Sequence, residues 1–171
     1  FIDGGCSFTY GSELKQRQNS WAHQLHKCLG TTEFLSTAKP GSSNSGIARR
    51  VFQQVANYTP EDIHCVMVMW TFYTRYDWAM PEHKELDGRR WTSITPWDTH
   101  VSATERHKGL VGSEAEQEKW KKRDNLLIET GVKSLADAIY RNASNAYHEI
   151  YLSWKSIIWL QNILEKKNIP Y

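Results

Sequence analysis

Ser7 lies where a short apolar run, Phe1-Ile2-Asp3, breaks into Gly4-Gly5-Cys6 before an amphipathic segment begins. A serine on such a strand-to-helix turn is held at the carboxyl end of a strand, where open α/β sheets bind their ligands. Flanking glycines permit tight backbone geometry and close approach of a substrate. N–H groups at the start of the next helix can point at an anion. Those are the requirements of a nucleophile with half an oxyanion hole, although the same turn could cap the helix or bind a phosphate. Two familiar motifs are excluded. Gly5-Cys6-Ser7-Phe8-Thr9 has no glycine two residues after the serine, and no Gly-Lys-Ser/Thr follows a longer glycine loop.

A second group, Pro40-Gly41-Ser42-Ser43-Asn44, follows the next candidate strand and opens a helix. In a parallel sheet it shares the edge that carries Ser7. Gly41 can present an unobstructed N–H and Asn44 an amide donor. With the Ser7 N–H they would form an oxyanion hole, where each donor contributes roughly 3 kcal/mol to the transition state. Locally, Asn44 or Ser43 also reads as a helix N-cap. A third group, Trp70-Thr71-Phe72-Tyr73-Thr74-Arg75, closes the most apolar strand. Thr71 offers a hydroxyl donor and Arg75 a fixed positive charge, unless Arg75 pairs structurally with Asp77 or another acid. Cys6, Tyr10, Trp70 and Arg75 are the expected pocket residues.

A serine nucleophile needs a general base, normally a histidine oriented by a carboxylate. Of the seven histidines, His23 and His26 fall on the first helix and His148 on the last. His83, His100 and His107 fall in a long aromatic-rich stretch. Asp62-Ile63-His64 and Asp98-Thr99-His100 put an acid near a histidine, at an unhelpful spacing. No base is visible in the sequence.

The elements that must position these groups alternate. Phe1 to Asp3 reads as a strand and Glu13 to Leu29 as a helix, with Trp21, Ala22, Leu25 and Leu29 toward the sheet and Gly30 as its stop. Glu33 to Thr37 reads as a strand. Ile47, Val51, Phe52 and Val55 mark the next helix, entered through Ser42-Ser43-Asn44-Ser45. Ile63 to Trp70 is apolar at nearly every position, as a central parallel strand buried on both faces would be. Phe72 to Gly112 is too long for a simple connection and reads as an insertion or lid. Its Trp78, Trp91 and Trp97 could stack sugar rings or close over an acyl chain, with a small core of packed rings as the favoured alternative. Helices follow over roughly Ser113 to Asn142 and Asn145 to Lys167, the latter with Ile150, Tyr151, Trp154, Ile157, Ile158 and Leu164 on an apolar face. Asn168-Ile169-Pro170-Tyr171 reads as a loop entering a further strand.

The chain has 171 residues, enough for one domain with a sizeable core. Its 40% apolar and 23% charged content suits a soluble globular protein. A net charge of +2, with basic and acidic residues interleaved, argues against nucleic acid as a partner. Lys119, Lys121, Lys122 and Arg123 sit beside Glu114, Glu116 and Glu118 as a solvated helix face. No run is long enough to cross a membrane. Cys6, Cys28 and Cys65 lack metal-ligand spacing and fit free thiols in a reducing compartment. Neither a metal nor an organic cofactor is expected.

Gly5-Cys6-Ser7-Phe8-Thr9-Tyr10-Gly11 resembles the opening block of the SGNH/GDSL hydrolases, in the Gly-Cys-Ser-Phe-Thr-x-Gly branch met in phage and bacterial genomes. Cys6 stands where most of that superfamily has aspartate. Pro40-Gly41-Ser42-Ser43-Asn44 is similar to the second block, whose glycine donates to the oxyanion. Trp70 to Arg75 falls where the third block belongs, but the usual Gly-x-Asn-Asp is absent, so Thr71 or Asn44 would replace its asparagine. The resemblance implies a late Asp-x-x-His block supplying the base; none occurs here, and it is expected beyond Tyr171.

The resemblance thus implies a single α/β domain over 1–171, a three-layer α/β/α sandwich with a parallel sheet, flavodoxin-like in outline. Its last strand and helix would lie beyond Tyr171, and the insertion would cover about 72–112. The implied function is ester or acyl hydrolysis by Ser7 on a small-molecule or carbohydrate ester, in a soluble cytoplasmic or phage-associated protein. The competing expectation is an inactive binding or structural module. A flavodoxin-like nucleotide binder is disfavoured by the absence of a ribose-binding or metal-binding motif.

Overall fold

The computed structural model describes residues 1–12, 14–80, 91–99 and 114–171. In chain order its elements are β1 (Ile2–Gly4), α1 (Ser7–Tyr10), α2 (Trp21–Leu29), β2 (Leu35–Ser36), α3 (Asn44–Val55), β3 (Val66–Val68), β4 (Tyr76–Ala79), β5 (Trp91–Ile94), α4 (Glu114–Glu129), α5 (Val132–Ala138) and α6 (Ala146–Lys166). They fall into two compact units: residues Phe1–Asp77 with Ala146–Tyr171, and residues Trp78–Asn145.

The first unit is built on a parallel sheet ordered β2-β1-β3. Ile2 is in register with Leu35 on one side and with Val66 on the other. Strands joined in parallel require crossover connections, which α1 with α2 and then α3 supply. The chain is therefore α/β. Ile2, Ile47, Val51, Val55, Val66, Leu160 and Leu164 form one buried cluster, in which α3 packs against both β1 and α6. Fully burying an aliphatic side chain of this kind is worth about 1.5–3 kcal/mol. A Cβ on Gly4 would lie 2.5 Å from Val51 Cγ2. Only glycine lets α3 close on β1 at that height.

The sequence reading of this unit needs three corrections. The segment from Glu13 to Leu29 is not one helix. Ser7–Tyr10 forms a short helix of its own, Gly11 ends it at φ 74°, a 3-10 turn spans Arg17–Asn19, and Ser20 caps α2 by accepting from the His23 N–H at 3.4 Å. Two cap signals outweigh the amphipathic pattern running through them. Of the residues expected to face the sheet from this helix, Ala22 is buried while Leu29 is exposed.

The middle strand is β1, not the apolar run from Ile63 to Trp70. Val66 is buried, yet Met67 and Met69 are 37% and 39% exposed. The outer edge of β3 is met by the last residues of the chain, where Pro170 O accepts from Val66 N at 2.8 Å.

The inward positions of α6 are Glu149, Ser153, Leu160 and Leu164. Of the apolar face read from the sequence, only Leu164 is buried; Trp154 is 65% and Tyr151 58% exposed. The buried polar positions have partners from elsewhere in the unit: Tyr76 OH donates to Glu149 Oε1 at 3.3 Å, and Ser153 Oγ accepts from Asn44.

The second unit pairs β4 with β5 and buries Met80, Ile94, Leu127, Val132 and Ala136. It runs through α4 and α5, well past Gly112. Among the described residues its buried apolar side chains are these five, and Trp78, Trp91 and Trp97 are each more than 40% exposed. Asp98 organises the polar interior: Arg123 Nη1 donates to its Oδ1 at 2.6 Å, and Thr95 N–H to its Oδ2 at 2.7 Å. Its backbone carbonyl accepts from Lys133 Nζ at 2.9 Å. His83, His100 and His107 lie outside the described residues.

Candidate active site

The three chemistry-bearing segments meet at the carboxyl ends of the three parallel strands. β1 runs directly into Gly5-Cys6-Ser7. The turn after β2 is tied to it, because Lys39 N–H donates to Gly5 O at 3.1 Å. The segment after β3 is tied one residue earlier, Met69 N–H donating to Gly4 O at 2.9 Å. A Cβ on Gly5 would overlap the Thr9 side chain. The consecutive glycines therefore let α1 fold back on β1 and let α3 approach it.

Ser7 is the first residue of α1 and is half-buried. Among the described residues its hydroxyl has one partner, the Cys6 sulfur, at 4.0 Å. Cys6 is only 3% exposed. Burial pushes its thiol up, but the Phe8 N–H, the Thr71 and Ser7 hydroxyls and the Arg75 charge outweigh burial and leave it below the usual range.

Gly41 adopts φ 74°, and a Cβ there would meet nothing within 4 Å. Its left-handed backbone, rather than crowding, calls for glycine. The adjoining loop is braced from inside: Ser42 Oγ donates to Lys39 O at 2.5 Å and accepts from Arg50 Nη2 at 2.6 Å. Arg50 also donates to Thr37 O at 2.9 Å. Burial brings its guanidinium down to about 10, with the nearby Asp77 charge opposing the drop.

Asn44 sits in the same corner, and its side chain already has partners. Its Nδ2 donates to Thr71 O at 3.1 Å and to Ser153 Oγ, while its Oδ1 accepts from Thr71 N at 2.7 Å. Both sides of the amide thus join α3, the end of β3 and α6. The helix cap is Ser43, whose Oγ accepts from Gly46 N–H at 3.1 Å. Of the two candidates to replace the missing asparagine donor, the Thr71 hydroxyl is the better placed. It accepts from Arg75 Nη1 at 3.0 Å, which leaves its single proton to be shared between the Cys6 sulfur and an oxyanion.

Arg75 does not pair with Asp77. That carboxylate takes Arg49 in a bidentate pair, Nε to Oδ2 at 2.9 Å and Nη2 to Oδ1 at 3.3 Å. Arg75 turns instead to Thr71 and to Ser42 O, at 3.3 Å. Tyr10 is engaged elsewhere, its ring lying 3.9 Å from the Arg17 guanidinium carbon.

Among the described residues no histidine is hydrogen-bonded to Ser7. His23 and His26 pack around Phe34, and His26 Nδ1 lies 2.6 Å from Thr31 Oγ1. His64 precedes β3, at the opposite end of the sheet, and His148 is on the first turn of α6. No cluster of His, Cys, Asp and Glu among the described residues could hold a metal ion.

A cavity of about 430 Å³ opens beside the serine. Cys6 and Phe8, the chain neighbours of Ser7, form one side; Met69 to Tyr73 form another; α6 supplies Ile150, Ser153, Trp154 and Ile157. Of the expected pocket residues, Cys6 and Trp70 line it. The α6 contribution escaped the sequence reading. Its spacing of three, one and three residues marks one helical face, but nothing in that spacing says what the face looks onto. Among the described residues, no helix is long and apolar enough to cross a membrane. Comparison with protein-family models, curated proteins and solved structures returned no match to this chain.

Proposed function

We propose that this chain is an SGNH-type ester hydrolase, built as a three-layer α/β/α sandwich, in which Ser7 is the nucleophile. The observation that carries the reading is the pair of backbone hydrogen bonds from Lys39 and Met69 to Gly5 and Gly4, which gathers three separate segments around one serine. In this mechanism Ser7 Oγ attacks the ester carbonyl carbon. The Ser7 and Gly41 N–H groups and the Thr71 hydroxyl receive the developing oxyanion. Collapse of the tetrahedral adduct expels the alcohol, and water then releases the acid from the acyl-enzyme. Arg75 keeps the Thr71 hydroxyl oriented by occupying its acceptor side. The proton from Ser7 needs a base from outside the described residues.

A fluorophosphonate probe should label Ser7, as read by mass spectrometry of the 1–12 peptide, and Ser7→Ala should lower hydrolysis of a short p-nitrophenyl ester by at least about a thousandfold. Unchanged turnover in Ser7→Ala overturns the assignment. The lack of a base beside Ser7 among the described residues favours a second reading, a binding module that keeps the fold without turnover. That reading requires Ser7 to remain unlabelled.

A further inference from the structure

We propose that the cavity beside Ser7 is an acyl pocket, and that the substrates are esters of medium-length, uncharged acyl groups rather than acetylated sugars. The proposal rests on the hydrolase reading and narrows it to a substrate class.

Size is the first argument. A cavity of about 430 Å³ is far larger than an acetyl group needs and lies within the ~300–1,000 Å³ range of small-ligand sites. Position is the second. Cys6 and Phe8, the residues on either side of Ser7 in the chain, both line it.

Chemistry is the third argument and decides between the two substrate classes. Among the described residues that line the cavity there is no carboxylate, lysine, arginine or histidine. The amide of Asn44 and the hydroxyl of Ser153 are bonded to each other, and Asn44 is also bonded to Thr71. The remaining wall is largely apolar, through Phe8, Met69, Phe72, Ile150, Trp154 and Ile157, and its other polar side chains are those of Trp70, Thr71 and Tyr73. A sugar brings several hydroxyl groups, each needing a new partner once it leaves water. An acyl chain brings none and gains by burial. The exposure of Phe8, Phe72 and Trp154, each more than 60%, forms an apolar mouth of a kind that soluble proteins keep for ligands or partners.

Binding can be read without turnover. In the Ser7→Ala background, methyl esters of bromine-substituted acyl chains, from propionyl to octanoyl, should quench tryptophan fluorescence through Trp70 and Trp154. Affinity should rise roughly fourfold per added methylene, the gain for burying one CH₂. Ile157→Asp should weaken octanoyl binding at least tenfold. Trp154→Ala, at a largely exposed position and therefore safe for folding, should weaken it severalfold and remove part of the quenching. Affinity independent of chain length, or tighter binding of an acetylated xylo-oligosaccharide, overturns the acyl pocket. Fluorophosphonate labelling in the wild-type chain separates the two levels. Labelled Ser7 without chain-length dependence sinks the substrate class alone, whereas chain-length-dependent binding with an unlabelled Ser7 sinks the hydrolase reading and leaves an acyl-binding site.

Discussion

Asp3 in the first unit and Asp98 in the second are both withdrawn from solvent, at 0% and 3% exposure, yet their carboxyl groups have opposite surroundings. Asp3 Oδ1 accepts from Thr37 N–H at 3.1 Å, and its Oδ2 has no hydrogen-bond partner among the described residues. Burial pushes this carboxyl up to about 6, against the pull of the Ser36 hydroxyl and the Thr37 and Ala38 N–H groups. Burial acts on Asp98 in the same direction, but the Arg123 hydrogen bond and charge and the Thr95 donors outweigh it and hold it below its ordinary range. Depth alone therefore does not set the charge state; the partners do.

The contrast extends to the polar interiors. The corner around the candidate site has the neutral Asn44 amide at its centre, with Arg50 and Arg75 donating to hydroxyl and carbonyl oxygens, whereas the second unit is organised around an ion pair. A charged hub ties loops and helices together but depends on each partner remaining.

The largest effect should come from breaking that hub. Arg123→Met leaves the Asp98 charge buried without its cation and should destabilise the second unit by about 3 kcal/mol. Hydrogen exchange should show the loss over 91–99 and α5 while β1 and α3 stay protected. Equal loss in both units would remove the distinction drawn here.

Next is Asn44→Ala, which strands Thr71 O and N–H and should cost the first unit about 2 kcal/mol in thermal unfolding. Because Asn44 already has protein partners, fluorophosphonate labelling of the folded fraction should persist. Loss of labelling with intact folding would return Asn44 to the oxyanion hole.

Asp3→Asn should act in the opposite sense. A carboxyl raised to about 6 in the fold contributes stability that is fully present below its unfolded value of 3.8 and lost as pH rises through about 6. At pH 7 the substitution should therefore stabilise the first unit, on the order of 1–2 kcal/mol. That is less than the roughly 3 kcal/mol equivalent of the shift, because the new amide also needs partners. At pH 3.5 the gain should vanish. Asp98 has the reverse sign: its contribution is present above the ordinary carboxylate range and lost as pH falls through its lowered value. A gain from Asp3→Asn that did not depend on pH would show that shape, not charge, governs the site. The smallest effect belongs to Arg141→Ala, whose pairing with Asp137 is largely exposed, and melting should shift by less than about 1 kcal/mol.

Much of the architecture was legible because its signals are local. The Gly-Gly-Cys-Ser turn, the Lys39-Pro40-Gly41 turn with its Ser43 cap, and the apolar run into β3 can each be read from a few neighbouring residues. Their order along the chain implies a parallel sheet, and a parallel sheet brings their ends to one edge. The break between α1 and α2 was a local signal outweighed by the amphipathic pattern, whereas the other failures depended on partners distant in sequence. On α6 the apolar residues suggested the wrong inward face, because Glu149 and Ser153 are accepted inside by Tyr76 and Asn44. Asn44 or Ser43 read first as a helix cap, with Asn44 as a donor second; the structure makes Ser43 the cap and gives the Asn44 amide to Thr71 and Ser153.

By itself, then, the sequence determined the α/β alternation and the glycine-flanked turn that carries Ser7, since hydrophobic period and backbone sterics act over a few residues. Only the tertiary structure decided which polar groups retain hydrogen-bonding capacity at that edge, how the two oxygens of the Asp3 carboxyl differ in their partners, and which face of α6 lines the cavity. Those outcomes depend on what residues far apart in the chain bring to the same few ångströms.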